Sequence, residues 1–258
     1  MTQALTDKRA LITAASYGLG YAAARALVDA GCKVVLNSRS ADNLEKAVSQ
    51  LGDNASGIAA DLAIPEERSR LMKEALARLS AIDILVVSTA HPPTRPFSKA
   101  TDEDWELGHQ LLLRAPIELS RAVLPAMKAN RYGRLIYIGS IFGLEAEASS
   151  VVQSTFRAGL NNFAKCIAVE EAGNGITANV ICPGYFDTPL VRSLAAQYAE
   201  ESARDVEAVL EEWKTFSPMK QFGNPEDIGA FITYLCSPHG SFFSGAAVHI
   251  DGAAIKRV

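Results

Sequence analysis

Short apolar runs alternate with longer amphipathic stretches from one end of this chain to the other, and no other feature constrains its fold as much. The runs Ala10–Thr13, Lys33–Leu36, Ser56–Ala59, Ile82–Val87, Leu135–Ile138, Thr177–Ile181 and Ala246–Ile250 have the length and composition of strands. Between them, helix-period segments lie near 18–30, 41–51, 66–79, 102–129, 150–172, 189–214 and 225–236. Parallel strands need crossover connections, and right-handed crossovers place helices on both faces of the sheet. The pattern predicts a single-domain, doubly wound parallel α/β sheet of about seven strands over residues 1–258. Ligands are then expected at the carboxyl ends of the strands. Pro116 falls inside the fourth helical stretch, where a missing N–H predicts a kink. Residues 187–216 read as Asp-Thr-Pro-Leu-Val-Arg followed by a stretch carrying Glu200, Glu201, Asp205, Glu207, Glu211 and Glu212. This is either a solvated helix face or a helical lid over the ligand edge.

Composition narrows the function classes. With 258 residues, 48% hydrophobic and 21% charged, the chain falls outside disordered and disulfide-scaffold compositions. A net charge of -4 offers no bulk attraction to nucleic acid or to an anionic membrane. Cys32, Cys166, Cys182 and Cys236 are widely spaced with no Cys-x-x-Cys pair, so neither a zinc site nor another metal site is expected. The first nine residues lack the apolar core of a signal peptide, and no apolar run reaches the ~18 residues of a membrane span. The expectation is a cytoplasmic protein.

The first strand opens into Thr13-Ala14-Ala15-Ser16-Tyr17-Gly18-Leu19-Gly20, followed by an alanine-rich helix. Glycines between a first strand and a first helix let backbone N–H groups approach a pyrophosphate at the positive end of the helix. The second strand ends in Leu36-Asn37-Ser38-Arg39-Ser40, with no carboxylate to hold a ribose 2′-hydroxyl. An arginine there suits a 2′-phosphate, so NADP(H) is favoured over NAD(H).

On these residues the chain resembles the short-chain dehydrogenase/reductase family, a Rossmann-like fold, along nearly its whole length. The family's Thr-Gly-x-x-x-Gly-x-Gly loop is matched except that Ala14 stands at the first glycine. By the resemblance, Thr13, Ala14, Ser16, Gly18, Leu19 and Gly20 form the phosphate loop, and Asp61 with Leu62 lies against adenine. The segment Cys182-Pro183-Gly184-Tyr185-Phe186-Asp187-Thr188-Pro189, led by Asn179, matches the one beside nicotinamide, where Thr188 takes the carboxamide-binding position. The close from Ser244 to Gly252 is similar to the family's last strand and subunit-contact tail. The helix near 150–172 pairs subunits in relatives, which implies a homodimer or homotetramer.

The catalytic pattern departs from that family. Of its Asn, Ser, Tyr and Lys, only the serine is kept, as Ser140; Leu112, Gln153 and Arg157 occupy the other places, and Asn-Asn-Ala-Gly becomes Val87-Ser88-Thr89-Ala90. Glutamine donates a hydrogen bond but has no titratable proton, and arginine keeps its charge without shuttling protons. Losing general acid catalysis costs about 10²–10⁴-fold, while positioned hydride transfer can persist. Arg157 can still fork onto ribose hydroxyls, and Gln153 with Arg157 can form a polar pair for substrate and ribose. Tyr185 and His91 are the candidate replacement acids; Glu145 and Glu147 are candidate pocket acids or solvated loop residues.

Two functions follow: an NADP(H)-dependent oxidoreductase acting on a small carbonyl or alcohol through a non-standard proton path, or a catalytically inactive NADP(H)-binding sensor or structural subunit. A dehalogenase-like reading is disfavoured, because halohydrin dehalogenases keep the tyrosine and lose the cofactor loop, the reverse of this chain.

Overall fold

The structure, a computed structural model, describes residues 5–256. In chain order the elements are β1 (Arg9–Ile12), α1 (Gly18–Asp29), β2 (Lys33–Ser38), α2 (Ala41–Leu51), β3 (Ala55–Ala59), α3 (Pro65–Leu79), β4 (Ile84–Val87), α4 (Asp102–His109) and α5 (Ala115–Asn130). They continue with β5 (Gly133–Ile138), α6 (Val151–Glu171), β6 (Ile176–Pro183), α7 (Pro189–Glu201), α8 (Val206–Lys214), α9 (Pro225–Cys236) and β7 (Ala247–Ile250). The seven strands form one sheet in the order β3-β2-β1-β4-β5-β6-β7, every pair parallel. The chain reverses its direction of growth between β1 and β4, which is the topological switch point of a Rossmann-like sheet.

Strand alternation divides the core between two layers. Leu11, Val35, Leu85, Leu135 and Val180 face Leu71 of α3, Leu119 of α5 and Leu160 of α6. Ile12, Leu36, Ile84, Val86 and Ile136 face the other way, onto Leu27 of α1, Leu44 of α2 and Ile232 of α9. Both faces of the sheet are therefore covered, as parallel strands require. Among the described residues no helix is long and apolar enough to cross a membrane.

Two helical expectations are corrected. The stretch 102–129 is not one kinked helix: a π-turn at Gln110–Arg114 separates α4 from α5. Pro116 lies in the first turn of α5, and the widened turn ahead of it relieves the clash its ring would make with the carbonyl of Leu112. The stretch 189–214 is two helices: α7 ends at Glu201, Ala203 turns left-handed at φ 52°, and the extended Asp205 caps α8, its carboxylate accepting from the Ala208 N–H at 3.0 Å. Asp205 is thus a helix start, not part of one continuous acidic face. Helices α7 and α8 pack on each other through a small cluster of Ala195, Ala199, Val209 and Leu210.

The π-turn is held by Arg68, which is buried on α3. Its guanidinium donates to Glu118 at 2.7 Å, to the Leu62 carbonyl at 2.6 Å and to Gln110 at 3.0 Å. The Arg68 hydrogen bond draws the Glu118 carboxyl below its ordinary range. That stabilisation is present above the ordinary carboxylate pKa and is lost as pH falls through the lowered value. Replacing Arg68 with Met is expected to cost about 3 kcal/mol in urea unfolding at neutral pH. The variant should also lose less stability than the parent on moving to acid; an equal acid loss would show that Glu118 does not depend on Arg68.

Candidate functional site

Because all strands are parallel, the ends of β1 to β6 open onto one edge, and the residues singled out in the sequence gather there. After β1 the chain is clamped on both sides. Thr13 donates its N–H to the Val86 carbonyl at 3.0 Å and its hydroxyl to Ser88 at 2.6 Å, joining β1 to β4. The Ala15 N–H donates to Asn37 at 2.8 Å, and the Ser16 and Ser38 hydroxyls lie 2.9 Å apart, joining the loop to β2.

Within that clamp the backbone turns left-handed twice, at Ala14 (φ 47°) and Gly18 (φ 62°). Ala14 occupies a conformation that costs an L-residue about 1–2 kcal/mol. A Cβ on Gly20 would lie 2.4 Å from the Ala14 carbonyl oxygen, so only glycine lets α1 start this close to the strand. Gly18 faces Thr188, whose methyl would be 3.5 Å from a Cβ at position 18. Helix α1 begins with no side-chain cap and no acid in its first turn, which leaves its N–H groups available to an anion. Leu19 is half-buried beside them.

Arg39, just past β2, is exposed and has no hydrogen bond or ion pair among the described residues. Past β3, the Asp61 carboxylate accepts from the Ala63 N–H at 2.9 Å, and its own N–H donates to Glu67 at 2.6 Å. It makes a local turn and is not the cap of α3, a position held by Ile64. Leu62 is buried.

On the other side of the switch point, Ser140 follows β5 and its hydroxyl accepts from the Phe142 N–H at 3.2 Å. Gln153 and Arg157 sit one turn apart on α6 but do not form the expected polar pair. The Gln153 amide donates to the Thr94 hydroxyl at 3.3 Å, whereas Arg157 turns towards the strand and donates to the Ile138 carbonyl. Helix α6 also presses on the turn after Ser140: a Cβ on Gly143 would lie 2.8 Å from the Arg157 backbone. Arg157 is only 6% exposed, and among the described residues its Nε has no partner and no carboxylate pairs with it. Burial pulls its pKa down to about 10, which leaves it charged at neutral pH. The Thr89 hydroxyl, past β4, is likewise buried without a partner. Leu112 is buried in the π-turn.

His91 has Nδ1 2.9 Å from the Pro92 carbonyl. Burial, with the Arg157 charge behind it, lowers the imidazole pKa and keeps it neutral. Pro183 ends β6, and Gly184 passes so close to Asp251 that a Cβ would come within 2.9 Å of its Cα. Thr188 is buried and caps α7, accepting from the Val191 N–H at 3.3 Å. Tyr185 packs against Trp213 and Phe216, and burial followed by the Glu147 charge raises its phenol pKa. Glu147 accepts from the Ser149 N–H at 2.9 Å, so its carboxylate also orders the chain ahead of α6. Asn179 belongs to the scaffold: its side chain donates to Phe243 at 2.8 Å and accepts from Ala246 at 3.1 Å, tying β6 to the approach to β7.

Thr94, Trp213 and Phe216 were not anticipated from sequence. Each meets its partner across a long stretch of chain, and no local spacing announces that meeting.

The loop geometry sets a stability test. Ala14→Gly is expected to raise unfolding free energy by about 1 kcal/mol by releasing the left-handed alanine. Gly20→Ala is expected to cost about 2 kcal/mol or more, through the contact with the Ala14 carbonyl. If urea titrations gave the same sign for both variants, the strain would lie elsewhere.

Comparison with known proteins extends this picture. A family model described as enoyl-(acyl carrier protein) reductase matches residues 13–253. The chain is 29% identical over 248 residues to the 3-oxoacyl-[acyl-carrier-protein] reductase FabG of Vibrio cholerae, covering 96% of this chain and 97% of that one. It is 31% identical over 254 residues to the oxidoreductase UcpA of Escherichia coli, covering 97% and 95%. Among solved structures, L-sorbose reductase from Gluconobacter frateurii, complexed with NADPH and L-sorbose, superposes with a TM-score of 0.94 at 28% identity and 100% coverage of both chains. YwfH, an NADPH-dependent reductase of bacilysin biosynthesis, gives 0.89 at 25% identity, covering 97% and 99%.

Proposed function

The chain belongs to the short-chain dehydrogenase/reductase family, and from that premise we propose that it is an NADP(H)-dependent oxidoreductase of small carbonyl or alcohol substrates. The observation that carries this reading is the uncapped α1 N-terminus at the β1–β4 switch point, with an unpaired arginine at the end of the neighbouring strand. Relatives that bind or use NADPH superpose along the whole sheet.

In this reading Thr13, Ala14, Ser16, Gly18, Leu19 and Gly20 cradle the pyrophosphate, Arg39 pairs with the 2′-phosphate, and Asp61 with Leu62 borders the adenine. Pro183, Gly184 and Thr188 border the nicotinamide. The buried Arg157, with a free Nε, fits a ribose or substrate oxygen that would satisfy it. The dinucleotide supplies or accepts the hydride. Ser140 holds the substrate oxygen by its hydroxyl, and Gln153 donates a hydrogen bond without losing a proton. Arg157 keeps a fixed positive charge near the oxygen on which negative charge grows. The proton path is non-standard, since the places of the family's Tyr and Lys hold Gln153 and Arg157. Tyr185 supplies the proton; burial, then the Glu147 charge, raises its phenol pKa, so it holds that proton more firmly than a free phenol does. We assign the protein to the cytoplasm as a homodimer or homotetramer. Its subunits would pair over the groove of about 560 Å³ between α5 and α6, lined by Leu124, Phe163 and Ile167.

Titration of purified protein with NADPH and NADH, read by nucleotide fluorescence and thermal stabilisation, tests the cofactor assignment. NADPH is expected to bind more tightly, and Arg39→Asp should weaken NADPH by about tenfold or more while sparing NADH. On a carbonyl panel, Ser140→Ala and Tyr185→Phe should lower kcat with NADPH affinity unchanged, and Gln153→Tyr with Arg157→Lys should raise it by up to about 10²-fold. Binding of neither nucleotide would discard the reading. NADPH binding with no turnover across the panel would point to the inactive sensor or subunit.

A further inference from the structure

Tyr185 leaves the sheet edge between two walls. On one side its ring meets Trp213 of α8 at 5.7 Å between centroids and Phe216 at 5.5 Å, inclined at 46° and 42°. Trp213 in turn meets Tyr198 of α7 at 6.1 Å. On the other side Tyr185 feels the charge of Glu147, which precedes α6. The ring chain therefore runs from the α7–α8 segment to Tyr185 past the end of β6, the strand paired with β5, which Ser140 follows. Its outer members are not packed away: Phe216 is 48% exposed, Tyr198 44%, and Met219, three residues on, 63%. The Tyr185 hydroxyl has no hydrogen-bond partner among the described residues.

Phe216 and Tyr198 are exposed at the outer end of this chain of rings, and a planar guest set against them gains from ring faces and edges alike. An acyclic polyol gains nothing from them and would leave its hydroxyls unpaired against the rings. Resting on the oxidoreductase reading above, we infer that the substrate carries an aromatic or similarly flat apolar group, which lies against Tyr185, Trp213 and Phe216 while its carbonyl or alcohol faces Ser140. The carboxylate of Glu147 on the other side of Tyr185 disfavours anionic substrates. The α7–α8 segment is then a lid whose aromatic inner side is completed by the ligand.

Isothermal titration of NADP⁺-loaded protein with two ketones of matched length and carbonyl reactivity, 1-phenylpropan-2-one and 1-cyclohexylpropan-2-one, tests this. The phenyl ketone is expected to bind about fivefold more tightly. Phe216→Leu, at an exposed position that the fold does not need, should reduce the preference to less than about twofold, and Trp213→Leu should do the same. Equal affinities, a preference unchanged in Phe216→Leu, tighter binding of a free ketohexose, or no binding of either ketone would each overturn the inference. The cofactor reading is scored separately. NADP⁺ binding without a phenyl preference sinks this inference alone, whereas a phenyl preference in protein that takes no NADP⁺ sinks the oxidoreductase reading and leaves the aromatic subsite standing.

Discussion

The parallel pairing of β1 with β4 is the contact on which the rest of the edge depends. It puts the switch point where the chain has least freedom, because the Thr13 hydroxyl reaches past the ladder to the Ser88 carbonyl. With β1 held against β4 on one side and against β2 on the other, the loop from Ala14 to Tyr17 has only a few routes into α1. One of them demands a left-handed residue at Ala14, and the chain adopts it without glycine. The strain is tolerated because the clamps over-determine the path: two strand ends and the start of a helix must all relax together for the alanine to relax.

A second constraint is the uncompensated charge of Arg157. A guanidinium this deeply buried is costly unless paired, as Arg68 is with Glu118. Here its hydrogen bond goes to a strand carbonyl and its Nε is left over. Burial lowers its pKa only to about 10, so the desolvation is endured in the charged state. Lysine at such a depth would lose its charge more readily, and with it the fixed field at the strand ends. The same field reaches His91 and, behind burial, helps to hold it neutral.

Much of this was legible before any coordinates. The periodicities located every strand and nearly every helix to within a few residues, because a sheet covered on both faces demands continuous apolar runs. The tight loop between β1 and α1 was legible from Gly18 and Gly20, whose backbone conformation and close approach show in residue type. What stayed hidden had no local signature. The π-turn at Gln110–Arg114 keeps the apolar period of a helix, so only the clash geometry at Pro116 reveals it. Asp205 looked like one acid among many, and its capping role depends on a backbone angle. Gln153 and Arg157 were expected as a polar pair for substrate and ribose, yet in the fold Arg157 reaches the Ile138 carbonyl while Thr94 takes Gln153. Trp213 and Phe216 reach Tyr185 only because α8 folds back over the end of β6.

Magnitudes decide whether such a site can turn over at all. Removing a general acid forfeits about 10²–10⁴ in rate. Holding two reactants in line supplies effective molarities of about 10⁵–10⁸ M, and a preorganised charge or donor at the reacting oxygen is worth a further ~10²–10³. In the proposed reading the clamped loop, Ser140 and the charged Arg157 belong to those last two categories, and neither needs a titratable tyrosine on α6. On that reading the residues at 153 and 157 forgo the smaller contribution and leave the larger ones in place. In the proposed reading the site gains a cation whose charge does not vary with working pH, and proton delivery passes to a group outside α6, the phenol of Tyr185, which follows β6 next to the end of β5 that carries Ser140.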